Sequence, residues 1–125
     1  MEKNVLGEEL VLCCNDPVTG FFRDGFCRTN NQDSGLHVVC AVLTNEFLEF
    51  SKSRGNDLIT ARPEFGFPGL KEGDCWCLCL SRWLEAVDAG VAPKIILKAT
   101  NARVLADVDF NILENYAYKK EKVEE

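Results

Sequence analysis

Cys75, Cys77 and Cys79 stand at alternate positions in GDCWCLCLSRW, residues 73–83. Thiols so spaced can ligate a metal, act as nucleophiles or redox groups, or simply pack as small hydrophobes. On a strand, residues two apart share a face. The three thiols then point one way, and Trp76, Leu78 and Leu80 the other. Both faces are apolar, which favours a buried central strand over a ligand row. A closed zinc site needs four converging ligands, usually built on C-x2–4-C pairs. The chain has no two matching pairs of that kind. No cofactor is therefore expected, and zinc on some of Cys27, His37, Cys40, Cys77 and Cys79 is the alternative. His37 and Cys40 are three apart, so on one strand they face opposite sides. A redox role has less support. No C-x-x-C is present, the adjacent Cys13 and Cys14 point apart on a strand, and Cys77 and Cys79 stand near the limit of bridgeable separation.

His37 is the only histidine, which removes two-His metal sites and leaves one base for any Cys-His scheme with Cys27 or Cys40. A lone histidine opening an apolar strand more often has a structural role. Arg23 and Asp24 sit in the turn Arg23-Asp24-Gly25, where a guanidinium can take a carboxylate or phosphate in bidentate fashion or pair with a neighbouring acid. Residues 55–74 offer Asn56, Asp57, Thr60, Arg62, Glu64 and Asp74 beside Phe65 and Phe67. Polar groups interleaved with aromatics make a pocket rim. They also suit an ordered surface loop whose acids cap turns. Arg82 pairs with Asp74 or Glu85 or joins the same rim. GFPGLKEG lacks the Gly-Lys-Ser/Thr ending of a phosphate loop.

The elements that must position these residues are legible in outline. ELVLCC (9–14) reads as a strand, and Asp24-Gly25 between apolar flanks as a tight turn or hairpin. LHVVCAVL (36–43) suits a strand buried on both faces. A helix follows, with Thr44 as cap, Glu46 in its first turn, Gly55 at its end, and Leu43, Phe47 and Phe50 as its apolar stripe. Residues 55–74 hold four of nine glycines and two of four prolines. They have no regular period, and long loops of this kind are functional or mobile. CWCLCL (75–80) is a strand. SRWLEAVDAG (81–90) is a helix capped by Ser81 and closed by Gly90. KIILKAT (94–100) is a strand, and DFNILENYA (109–117) a final helix with Asp109 as cap. The connection from 80 to 94 is long enough for a parallel crossover. The order gives an α+β fold: one compact domain over 1–118, with a mixed sheet, about three helices and two long loops. A polar, disordered tail follows at 119–125.

The chain has 125 residues and a net charge of −6, which argues against a nucleic-acid partner. No segment approaches the roughly 18 apolar residues of a membrane span, and the N-terminus lacks a secretory signal pattern. The expected setting is cytoplasmic. Seven cysteines is a high count. The odd number and the absent signal favour reduced thiols over a disulfide frame.

Eight stretches then carry a resemblance: NVLG (4–7), DPVTGFFRDGFC (16–27), HVVCAVLT (37–44), FSKSRGNDL (50–58), PEFGFPGL (63–70), GDCWCLC (73–79), RWLEA (82–86) and AGVAP (89–93). They resemble a group of small, mostly bacterial proteins catalogued as domain of unknown function 2237. The resemblance implies a family and no activity, cofactor or catalytic residue. Such proteins tend to carry Thr-His where this chain has Thr100-Asn101, so no role of a histidine there carries over. The leading expectation is a domain that binds a small molecule or a partner protein between loops 15–36 and 55–74. A metal- or thiol-dependent enzyme, or a structural module such as a homodimer, are the alternatives.

Overall fold

The Val-rich run at 36–43 forms the central strand. In the computed structural model, which describes residues 2–119, β1 spans His37–Val42. It lies between β2 (Cys75–Cys79) and β3 (Lys94–Ile95) in the order β2-β1-β3. Val38, Val39, Cys40 and Ala41 are fully buried, as a strand covered on both faces requires. Both ladders are antiparallel, and a single parallel bridge joins Ile95 to Ala117. The chain between β2 and β3 thus crosses over β1, as its length allows.

Helix α1 (Asn45–Ser53) begins where the sequence places it: the Thr44 side chain accepts from Phe47 N–H. Its buried residues are Phe47, Leu48 and Ser51. Helix α2 spans Leu80–Ala89 and buries Leu80, Trp83 and Ala86. Gly90 closes it in the left-handed conformation, with φ 78°. Its start differs from expectation, because Cys79 occupies the cap position without a side-chain bond. The chain thus passes from β2 into α2 without a linker, and Ser81 is already inside the helix. Trp83 is fully buried and donates its indole N–H to the Pro93 carbonyl at 3.1 Å. The final helix, α3 (Phe110–Asn115), is shorter than the apolar pattern at 109–117. Together these side chains and the sheet form one apolar core.

Two expected strands are not regular strands. Residues 9–14 run extended, but their hydrogen bonds go to scattered partners: Val11 to Lys98, Cys13 and Cys14 to Gly25. After two β residues, 96–100 turns into a short 3-10 helix at Leu97–Ala99. The Thr100 hydroxyl donates to the Ile96 carbonyl and fixes that turn. Asp24-Gly25 makes a tight turn, not a strand hairpin: Gly25 N–H bonds the Thr19 carbonyl, and Asp24 accepts from Phe26 N–H. Of the tail expected at 119–125, residues 120–125 lie outside the described residues.

Candidate functional site

The antiparallel register sets Cys40 of β1 opposite Cys77 of β2. Each meets a thiol from elsewhere: Cys13 is bonded to Cys40, and Cys27 to Cys77. Cys27, Cys40 and Cys77 are buried, and the sulfurs of Cys13, Cys27 and Cys77 lie within 4.8 Å of one another. Four of seven thiols are therefore oxidised, against the expectation of a reduced set. The partners are 27 and 50 residues apart, so no local spacing announces them. Three of the five residues weighed as metal ligands, Cys27, Cys40 and Cys77, spend their sulfur in these bridges. The bridges tie the 9–14 segment and the 15–36 loop to the sheet. Thr19 adds a third tie, its buried hydroxyl accepting Cys77 N–H at 2.9 Å.

The other two, His37 and Cys79, face each other in the β1–β2 register and form a second centre with Asp33. The Asp33 side chain is fully buried. Its Oδ1 lies 2.6 Å from His37 Nδ1. Its Oδ2 accepts His37 N–H at 2.9 Å and the Thr29 hydroxyl at 3.0 Å. Burial alone would raise this carboxyl, but the hydrogen bonds and the facing imidazole outweigh it and hold it below its usual range. His37 is pushed up to about 9, first by its hydrogen bond with Cys79, against the cost of burial, and further by Asp33. Leu36, just before His37, has φ 52°, a strained conformation for a branched residue. Its carbonyl accepts both Val38 N–H and Leu80 N–H. The register then shifts between His37 and Val39, and such bulges re-aim side chains. Gly35 fits because it has no side chain: a Cβ there would lie 3.2 Å from both Cys79 Sγ and His37 Cε1. Phe21 stacks on the imidazole, with ring centroids 6.1 Å apart.

His37 also lines a cleft of about 340 Å³ with Gly20, Phe21, Arg23, Arg62 and Trp76. This is the space between loops 15–36 and 55–74. Arg23 has φ 55°, and its guanidinium lies 5.2 Å from the Trp76 ring centroid, a cation–π distance. Arg62 and Phe67 exchange two backbone hydrogen bonds around the Pro63–Phe65 turn. That turn leaves Phe65 75% exposed at the mouth. Among the described residues, neither Arg23 nor Arg62 is ion-paired, and no carboxylate lines the cleft.

The remaining binding candidates serve the fold or the surface. Asp24 pairs with Arg28 at 2.8 Å. Asn56 bonds Ser51 through its backbone. Asp57 accepts from Ile59 and Thr60, and the Thr60 bonds first, then Ile59, hold it down to about 2. Glu64 is an exposed residue of the Pro63–Phe65 turn. Asp74 closes a turn onto Lys71, and Arg82 pairs with Glu85 and the Arg54 carbonyl. Of the eight, Arg23 and Arg62 reach the cleft. Asp33, the buried carboxylate of the site, is not among the residues the sequence singles out. Its one signal is the spacing Asp33-x-x-x-His37 before an apolar strand.

These features define a small α+β domain with a cationic, aromatic cleft beside a half-buried Cys-His pair set on a buried aspartate. The chain belongs to family DUF2237, described as an uncharacterised protein conserved in bacteria, whose profile matches residues 3–117. No curated protein matches the chain. No helix among the described residues is long and apolar enough to cross a membrane.

Proposed function

We propose that this domain binds a small anionic molecule with a flat apolar body in the cleft between loops 15–36 and 55–74. One observation carries the reading: Arg23 and Arg62 face the same cleft as Phe21, Phe65 and Trp76, with no carboxylate among the lining residues to neutralise them. Guanidinium groups without a carboxylate partner favour anions, and aromatic walls favour a flat body.

Phenyl phosphate is the probe, with benzylamine as its cationic counterpart and Trp76 fluorescence as the readout. Phenyl phosphate should saturate with a Kd of about millimolar or tighter, and benzylamine should not. Arg62→Gln should weaken binding about tenfold, the worth of one charge-assisted hydrogen bond. Equal responses to the two probes, or no saturable change with either, would overturn the reading.

A further inference from the structure

Three cysteines are free: Cys14, Cys75 and Cys79. Of these, Cys79 alone faces an imidazole across the β1–β2 register, with Gly35 packed against both its sulfur and that ring, and that imidazole is held by a buried carboxylate. We propose that Cys79, His37 and Asp33 form a nucleophilic thiol centre that attacks an electrophilic carbon of an anionic substrate held in the neighbouring cleft. The substrate's charge rests on the cleft reading above; the nucleophile does not.

Each part has the role the chemistry needs. Asp33 Oδ1 takes the Nδ1 side of the ring and Oδ2 takes His37 N–H, so ring and backbone are fixed by one carboxylate. A buried carboxylate is costly unless its hydrogen bonds are made, and here Thr29 supplies the last one. This is the orienting member of a triad, recognised by geometry and not by order in the chain. The strained Leu36 and the shifted register after His37 spend backbone energy where the imidazole meets the thiol. Access is partial: the His37 side chain is 35% exposed and Cys79 is half-buried. His37 is shared with the cleft, whose two guanidinium groups place an anion beside it.

In the reaction, the Cys79 thiolate, its proton already carried by the His37 imidazolium, forms the S–C bond with its sulfur electron pair. The bond from that carbon to its leaving group breaks, and the leaving group departs with the bonding pair. His37, with Nδ1 on Asp33, returns the proton to the leaving group or to water. No outside oxidant or reductant is required.

Iodoacetamide and iodoacetate test this on the intact, unreduced protein, with site-by-site rates from peptide mass mapping. In both, a C–I bond breaks and iodide leaves. Cys79 should react with iodoacetamide at least about tenfold faster than Cys75 and Cys14 of the same molecule, the low end of what a positioned base contributes. His37→Gln should remove that advantage while Cys14 keeps its rate. A misfolded variant would reveal itself by faster labelling of Cys75, and the wild-type ranking of the three thiols still decides the matter. If Cys79 labels no faster than Cys75, or keeps its lead in a folded His37→Gln protein, the centre is overturned. The ratio of iodoacetate to iodoacetamide rates at Cys79 should exceed that of glutathione. A fast Cys79 without that preference upholds the nucleophile and overturns the anionic cleft.

Discussion

The His37 charge is the most direct prediction, because one histidine gives one imidazole signal in a proton NMR titration. The ring lies between Cys79 and Asp33, and its pKa is pushed from 6.5 up to about 9. At about 1.4 kcal/mol per tenfold change in proton affinity, that rise has a ceiling of about 3 kcal/mol of pH-dependent stability. The side chain is 35% exposed, and solvent screening lowers the figure to about 1–2 kcal/mol. A group whose folded pKa is raised gives its full stabilisation below the unfolded value and loses it as pH climbs through the folded one. Stability in urea should therefore be full below pH 6.5 and should fall by about 1–2 kcal/mol as pH rises through about 9. Cys79→Ser and Asp33→Asn should each lower the imidazole midpoint, Cys79→Ser by more. Asp33, held low, works in the opposite direction: its stabilisation is present above pH 3.8 and is lost as pH falls below that. A His37 midpoint at or below 6.5 in the folded wild-type protein would refute the coupling of the three side chains.

The disulfide frame, the Thr19 tie and the loop glycines give further tests. Intact mass after alkylation of the unfolded, unreduced protein should report three free thiols; seven would contradict both bridges, and a co-purifying zinc ion would point the same sulfurs to a metal instead. Reduction should lower the melting temperature, the Cys27–Cys77 closure over 50 residues being worth about 4 kcal/mol in the chain-entropy estimate. Thr19→Val keeps the shape and leaves the buried Cys77 N–H without its acceptor. It should cost about 1–3 kcal/mol in urea unfolding, and Thr19→Ser should restore most of that. Gly69 has φ 83°, and a Cβ there would run into the Ile59 carbonyl. Gly69→Ala should cost at least about 1 kcal/mol and weaken phenyl phosphate binding by shifting the loop that carries Arg62.

Local signals in the sequence are largely honoured. Thr44 caps α1, Gly90 closes α2, and the apolar runs around Val38 and Leu78 become paired strands, because caps and apolar runs act over a few residues. What is missed depends on long-range pairing. The 9–14 segment has strand composition but finds only scattered hydrogen-bond partners. Cys13 and Cys27 meet their partners across 27 and 50 residues, and spacing cannot announce such a pair. The alternation of Cys75, Cys77 and Cys79 is a strand, as the apolar faces imply, yet its members part company. Cys77 is bridged, Cys75 is pushed up by burial, then by Cys14 and Asp74 nearby, and Cys79 joins His37. Loops 15–36 and 55–74 do meet at a cleft, but most of their acids turn inward to their own backbone. Asp57 and Asp74 serve turns, and Arg82 serves α2. Those uses follow from short-range hydrogen bonding that competes with any ligand. Asp33 was hidden for the opposite reason: in a polar stretch it looks solvated, and only the fold buries it beneath His37.

The proposed function turns on a cleft that recognises an anion through Arg23 and Arg62. Backbone amide chemical-shift mapping of the labelled protein with phenyl phosphate tests it most directly. Saturable shifts should concentrate at Gly20, Phe21, Arg23, His37, Arg62 and Trp76, which line the cleft with others. Shifts scattered over the surface, or centred on another face while these residues stay still, would contradict it.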